Sequence, residues 1–136
     1  MGVSEILKYK TVNEKITSYK DLEVWKKGIE NVTEIYRISD KFPDHEIYAL
    51  TSQIRRSSVS VPSNIAEGWG RRKTKPFIQF LSIASGSLYE LETQLIIGNN
   101  LSYIDNDTLT QCSLRIEIIG KMINSLISKL EKHIEK

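Results

Sequence analysis

Four stretches of this sequence repeat apolar residues every three or four positions, the spacing that places side chains on one face of an α-helix. The first stretch runs from Asp21 to about Lys41 and is closed by Phe42 and Pro43, since the residue before a proline is pushed out of helical geometry. Its predicted core positions are Leu22, Trp25, Ile29, Val32 and Tyr36. We expect this stretch to form the first long helix.

The second stretch keeps its helical spacing through a proline. Its predicted core positions are Leu50, Ile54, Ser58, Val61, Ile65 and Trp69. An interior proline costs a helix about 3 kcal/mol or more, because it removes a backbone donor and crowds the preceding turn. Since the spacing does not break at Pro62, we predict one kinked helix from about Leu50 to Trp69. The alternative is two helices that meet at Ser60 and Val61, with the proline in the first turn of the second.

The third and fourth stretches are long and regular. The third begins near a possible cap at Thr74 and is expected to end before Gly98. Its predicted core positions are Phe77, Leu81, Ala84, Leu88, Leu91 and Leu95. The fourth begins after a cap at Asp105 or Asn106, and its predicted core positions are Leu109, Cys112, Ile116, Ile119, Ile123, Leu126 and Leu130.

Four amphipathic helices joined by short connections bury their apolar faces most simply as an antiparallel up-down four-helix bundle. The pattern therefore predicts an all-α fold, with the bundle in residues 19–136. Residues 1–18 lack a strong period and are expected to form an N-terminal arm of uncertain order. No stretch has the strand period or a glycine-rich phosphate loop.

Composition narrows the class of protein. The chain has 136 residues, 40% hydrophobic and 26% charged, which fits one ordinary globular domain and excludes disordered and disulfide-scaffold classes. Cys112 is the only cysteine and falls in core phase, so we expect it to be buried and inert. The chain shows no signal peptide and no membrane span, so a cytoplasmic location is expected.

Charge is unevenly distributed. The net charge is only +2, but residues 55–75 carry six cations against Glu67, a local charge of +5 that leaves −3 for the rest of the chain. The cations expected to contact nucleic-acid phosphates are Arg55, Arg71, Arg72, Lys73 and Lys75. Because Trp69 lies in core phase, we expect base stacking on its indole to contribute little.

The second helix has a further polar stripe away from its predicted core. Its members are Gln53, Arg56, Ser60, Ser63, Asn64 and Glu67, with Arg71 at the end. Several are small, which lets another helix approach closely, and Ala84 to Ser87 add small residues on the next helix. We interpret this stripe as the contact of a homo-oligomer in which Arg56 and Glu67 pair; the alternative is an ordinary exposed face.

Catalytic and metal-binding patterns are missing. His45 and His133 stand far apart, and neither has a cysteine or carboxylate at ligand spacing. The many serines lack a histidine base, and Glu67 lies among arginines that would keep it ionised. We therefore expect no metal, no cofactor and no enzymatic activity.

Three strings carry a family resemblance: DLEVWKKGIE, YALTSQIRRSSVSVPSNIAEGWGR and FIQFLSIASGSLYELETQLIIGNNLSYI. Over residues 19 to about 104 the chain resembles the four-helix bundle proteins first noticed as reading frames in intervening sequences of bacterial 23S ribosomal RNA genes. Ser57 and Ser58 stand where that family commonly has alanine, and Pro76 where it commonly has an acidic residue. These changes are compatible with the fold.

The resemblance implies a bacterial cytoplasmic protein that assembles as a ring-like homopentamer, and it offers no catalytic residue to carry over. A related group, the accessory proteins of diversity-generating retroelements, forms similar pentamers that bind nucleic acid and a reverse transcriptase. Two functions follow as expectations. The first is an oligomeric adaptor for RNA, DNA or nucleoprotein, and the second is an oligomeric scaffold that binds another protein.

Overall fold

The computed structural model describes residues 2–8 and 15–134, and every regular element in these ranges is helical. The α-helices are α1 (Val3–Ile6), α2 (Glu23–Ser39), α3 (Leu50–Gly70), α4 (Thr74–Asn100) and α5 (Asn106–Ile134). Single 3-10 turns at Tyr19–Asp21 and Asp44–Glu46 lie in the connections. The predicted all-α class is confirmed, and the four predicted helices correspond to α2–α5.

The four long helices share one hydrophobic core. Helix α3 packs against α2 and α4, and α5 packs against α4 and α2, so each long helix touches two others. Ile35, Val61, Leu91 and Ile123, one from each helix, are completely buried. All six predicted core positions of α4 are buried, and those of α5 are buried or packed against the core.

Helix α3 continues without interruption through Pro62. The two-helix alternative at Ser60 and Val61 is therefore wrong. Pro62 is itself buried, and it packs against Gly28 of α2. Tertiary packing across the proline thus offsets the lost backbone hydrogen bond. The bend expected at this position stays a prediction.

The predicted core face of α2 is confirmed only at its start, where Leu22 is buried and Trp25 packs against the core. Ile29 and Tyr36 are 41% and 43% exposed and Val32 is only partly buried, so the rest of the predicted face is wrong by about one position. The buried stripe of α2 is Val24, Gly28, Asn31, Ile35 and Ser39. Small and polar residues face inward here because α2 lies close against α3. Tyr36 instead lies at the edge of this contact, where the guanidinium of Arg55 sits 4.6 Å from its ring centre.

The end of α4 also differs from the sequence expectation. The helix passes Gly98 and ends at Asn100, because Gly98 is a buried packing position rather than a stop signal. A Cβ atom at Gly98 would lie 3.1 Å from Ile104. The predicted cap at Thr74 is wrong: Lys73 occupies the N-cap position without a side-chain hydrogen bond, and Thr74 is the first residue of α4. The predicted cap of α5 at Asp105 is confirmed, since its carboxylate accepts a 2.7 Å hydrogen bond from the backbone N–H of Thr108.

The N-terminal segment contributes to the core. Val3, Ile6, Leu7 and Ile16 are all buried. The backbone N–H of Ile16 donates to the carbonyl of Lys8, which ties the two described parts of this segment together. Residues 1 and 9–14 of the predicted arm lie outside the described residues.

Candidate nucleic-acid interface

Four of the five cations predicted to contact phosphates surround the short connection between α3 and α4. Arg71 follows the last residue of α3, and its backbone N–H donates to the carbonyl of Gly68. Arg72 has the left-handed backbone conformation, with φ of 64°. Its N–H donates to the carbonyl of Trp69 at 3.0 Å. The chain thereby reverses within three residues and places Lys73 at the start of α4.

The charges of this connection differ in their surroundings. Arg71 lies 3.6 Å from the carboxylate of Glu67 and 5.2 Å from the ring centre of Phe80. Arg72, Lys73 and Lys75 are exposed, and none of them forms an ion pair within residues 2–8 and 15–134. These three cations line a cleft of about 480 Å³ with Gly2, Thr74 and Pro76. We call it the basic cleft.

Arg55 does not join this cluster. It lies near the start of α3, sixteen positions before Arg71, or roughly 24 Å along a helix that rises about 1.5 Å per residue. Its Nε donates to the hydroxyl of Ser39 at 2.8 Å, and its guanidinium is 4.0 Å from the carboxylate of Asp40. The charge of +5 counted over residues 55–75 therefore divides between the two ends of α3.

The stripe predicted as an oligomer contact is only partly exposed. Gln53, Arg56, Ser63 and Glu67 are on the surface, whereas Ser60 and Asn64 are partly buried. The hydroxyl of Ser60 lies 2.8 Å from that of Ser87 on α4. The side-chain amide of Asn64 donates to both the carbonyl and the hydroxyl of Ser60. The small residues of this stripe thus serve first to let α3 and α4 of the same chain approach.

The exposed members of the stripe have apolar neighbours. Val59 directly precedes Ser60, and Ile83 lies one turn before Ser87; both side chains are more than one-third exposed. Gly86 is also exposed, with no atom near the place a Cβ would occupy. Apolar surface therefore lies on both helices beside the Ser60–Ser87 contact.

Cys112 is fully buried, as predicted from its position in the core pattern. Burial raises the pKa of its thiol, while the nearby guanidinium of Arg115 acts in the opposite direction. Within the described part of the chain, no three histidine, cysteine, aspartate or glutamate side chains gather as metal ligands. None of the described helices is both long and apolar enough to cross a membrane.

Two features of the interface were missed by sequence reasoning. Gly2 and the N-terminal segment lie against the connection, and a Cβ at Gly2 would stand 3.3 Å from the carbonyl oxygen of Arg72. Trp69 is only partly buried, and it lines a second cleft with Arg72. The apolar residues Val3, Ile6 and Leu7 were the available signal that this segment docks.

Residues 20–125 match the family described as 23S rRNA-intervening sequence protein. The chain belongs to this family. The matched range of this intervening-sequence protein includes α2, α3, α4 and the cations of the α3–α4 connection, but not the N-terminal segment. The resemblance seen in the sequence motifs is confirmed.

Among solved structures, the chain is similar to a protein with unknown function from the S23 ribosomal protein family of Bacteroides thetaiotaomicron VPI-5482. The two chains are 25% identical, with a TM-score of 0.71. The match covers 76% of this chain and 97% of the other. No curated protein matches this chain.

Proposed function

We propose that this intervening-sequence protein is a non-enzymatic, homo-oligomeric adaptor that binds RNA or DNA, free or in a nucleoprotein, in the bacterial cytoplasm. Its proposed architecture is an antiparallel up-down four-helix bundle of α2–α5, kinked at Pro62. The proposed assembly is a ring-like homopentamer, as in the related proteins that the sequence resembles.

One observation carries the nucleic-acid part of the proposal: two of the clustered cations lie at a helix end that disfavours them. Lys73 occupies the N-cap position of α4 and Lys75 lies in its first turn, where the helix macrodipole is positive. Arg72 adds a third charge, and none of the three is neutralised by a carboxylate in the described chain. Such a cluster is unfavourable in the free protein and is stabilised by a bound anion. Closely spaced phosphates of a nucleic-acid backbone are the anions that fit several adjacent cations.

The oligomer part rests on the apolar surface beside the Ser60–Ser87 contact. Val59 and Ile83 are exposed there, next to the exposed and small Ser63 and Gly86. Removal of this surface from water favours association, and the small residues let a neighbouring subunit approach. A ring repeats each basic cleft, so weak binding at one subunit gains strength by multivalency.

A second candidate function is a scaffold that binds another protein. The exposed pair Ile47 and Tyr48 in the turn before α3 favours it, since the Tyr48 side chain is 94% exposed. Aromatic residues that stand free of their own fold are common anchors of protein contacts. If this function is the correct one, the purified protein binds neither RNA nor DNA.

The test compares two triple variants with the same change in charge. The first carries Arg71→Gln, Arg72→Asn and Lys73→Gln, with asparagine chosen because it tolerates a left-handed backbone. The control carries Lys26→Gln, Lys27→Gln and Lys121→Gln, which remove exposed lysines that pair with glutamates elsewhere. Fluorescence anisotropy with labelled RNA and DNA at about 50 mM salt should show at least about tenfold weaker binding for the first variant only. Equal affinity of both variants would exclude this site.

A further inference from the structure

Two clefts meet at Arg72. The basic cleft, about 480 Å³, lies on one side of it at the start of α4. The second cleft, about 300 Å³, is lined by Val3, Ser4, Thr17, Trp69 and Arg72. We call it the tryptophan cleft. Its volume is at the lower end of the range of about 300 to 1,000 Å³ typical of sites for small molecules.

The position of Arg72 between the clefts is fixed by the backbone. Its N–H is bonded to Trp69, and its carbonyl lies against Gly2 of the docked N-terminal segment. A left-handed backbone at a residue other than glycine is uncommon and needs such support from its surroundings. The segment that carries Gly2 and Val3 thereby also forms one wall of each cleft.

The two clefts differ in chemistry. Among the residues that the structure describes, the basic cleft is lined by the charges of Arg72, Lys73 and Lys75 and by no carboxylate. The tryptophan cleft offers an indole ring, an apolar wall at Val3 and two hydroxyl groups, and Arg72 is the only charged side chain among its described lining residues. The hydroxyl of Thr17 donates to the carboxylate of Asp21 at 3.1 Å, so its oxygen remains able to accept a hydrogen bond.

An anion site that adjoins an aromatic, hydrogen-bonding site has the chemistry of a nucleotide unit, which joins a charged phosphate to a flat base. We propose that the tryptophan cleft takes one unpaired base of a single strand while the phosphates beside that base lie in the basic cleft. This inference rests on the proposed nucleic-acid function and adds that the ligand is single-stranded. A duplex presents its phosphates equally well, but its bases are stacked and paired and do not enter a cleft without being flipped out.

The test measures one labelled strand, alone and as the blunt duplex with its complement, against the full chain. The single strand should bind more tightly than the duplex. Trp69→Leu should weaken single-strand binding about 5- to 150-fold, the usual effect of losing one stacked base, and should change duplex binding little. Trp69→Phe keeps an aromatic ring and should retain most of the affinity. Trp25→Leu is the matched control, since the other tryptophan packs against Tyr19 and lines neither cleft.

Trp69 also packs edge-on against Phe77, with ring centres 6.1 Å apart, so replacing Trp69 removes a packing contact as well as a stacking surface. A second measurement therefore keeps Trp69 intact. In a Trp25→Phe protein, all tryptophan fluorescence comes from Trp69. A single strand should quench that emission, and the duplex should not.

Three outcomes separate this inference from the proposed function. Quenching together with a preference for the single strand supports both. Equal binding of strand and duplex without quenching overturns the base site, while loss of that binding in the Arg71, Arg72 and Lys73 variant still supports the proposed function. Absence of any binding at about 50 mM salt overturns both.

Discussion

Gly28 of α2 lies directly against Pro62 of α3. A Cβ atom on Gly28 would stand 3.3 Å from Cβ of the proline and 3.4 Å from its Cδ. The residue that breaks the hydrogen-bond ladder of α3 thus faces a residue without a side chain. Because the proline ring fills the space that a side chain on Gly28 would occupy, α2 packs against α3 where the backbone hydrogen bond is missing.

Enlarging Gly28 should therefore separate the two helices. We expect Gly28→Val to lower the free energy of unfolding by about 1–3 kcal/mol, the usual cost of overpacking. The control is Gly120→Ala in the interior of α5, where an added Cβ would meet only Leu88 at 3.9 Å, an ordinary contact. That change should raise the free energy by about 0.5–1 kcal/mol, because alanine favours the helix. Urea unfolding measures both, and an unchanged midpoint for Gly28→Val would contradict the contact.

The buried polar pair Ser57 and Gln94 should behave as one unit. The Ser57 hydroxyl lies 2.7 Å from Oε1 of Gln94, and both side chains are buried between α3 and α4. Ser57→Ala leaves the amide oxygen without this donor and should cost about 1–3 kcal/mol. Adding Gln94→Leu should recover part of that loss. A double-mutant cycle by urea unfolding measures the coupling, and strictly additive effects would show that the two groups act independently.

The proposed oligomer should dissociate when a charge is placed on its exposed contact. Ser63→Glu is the informative change, since Ser63 is exposed and Ser60 is already bonded to Ser87 within the chain. An unpaired carboxylate and added volume would then lie at the contact. Light scattering should show a homo-oligomer for the unmodified protein and a smaller species for the variant. Ser125→Glu on the exposed face of α5 should leave the size unchanged. A monomeric unmodified protein at micromolar concentration would contradict the proposal.

The cap of α5 should make stability depend on pH at the acid end. Hydrogen bonds from the backbone and side chain of Thr108 lower the pKa of Asp105 below its ordinary value of 3.8. A lowered pKa in the folded state means that the stabilisation is present above pH 3.8 and is lost as the pH falls through the folded value. Asp105→Ala should thus lower the thermal midpoint at neutral pH, with a difference from the unmodified protein that shrinks in acid. If the difference in thermal midpoint stayed constant with pH, the loss of stability would not come from the ionised carboxylate of Asp105. Asp107→Ala, in the same first turn, is the matched control.

The buried face of α4 could be predicted from the sequence because its core positions are all apolar and their spacing is unbroken. Phe77, Leu81 and Leu95 are completely buried, as the pattern required. The continuity of α3 through Pro62 was likewise visible in the unbroken spacing. Long helices with one clear apolar face leave little choice of orientation.

Helix α2 shows why other core positions could not be predicted from the hydrophobic pattern. Its large apolar residues, including Ile29 and Tyr36, suggested a core face that the structure places near the surface. The true inward face contains Gly28 and Asn31, whose burial depends on contacts with Pro62 and Arg115 on other helices. Such contacts depend on the tertiary structure and cannot be predicted from the hydrophobic pattern along the chain.

The candidate interface was predictable in part. Arg71, Arg72 and Lys73 are adjacent in sequence, so their proximity in space could be inferred without knowledge of the fold. The separation of Arg55 from them follows from the length of the uninterrupted helix α3. The contribution of Gly2 and Val3 depends on the docking of the N-terminal segment against the α3–α4 connection, which the sequence period could not show.

The salt dependence of nucleic-acid binding tests the central claim most directly. Each phosphate contact adds about 0.7 to the slope of log affinity against log salt concentration for a single strand. The variant Arg71→Gln, Arg72→Asn, Lys73→Gln should therefore flatten that slope by about 2, while the Lys26, Lys27 and Lys121 control keeps the slope of the unmodified protein. An unmodified protein that binds neither RNA nor DNA at about 50 mM salt, or slopes that are equal in all three proteins, would contradict the account.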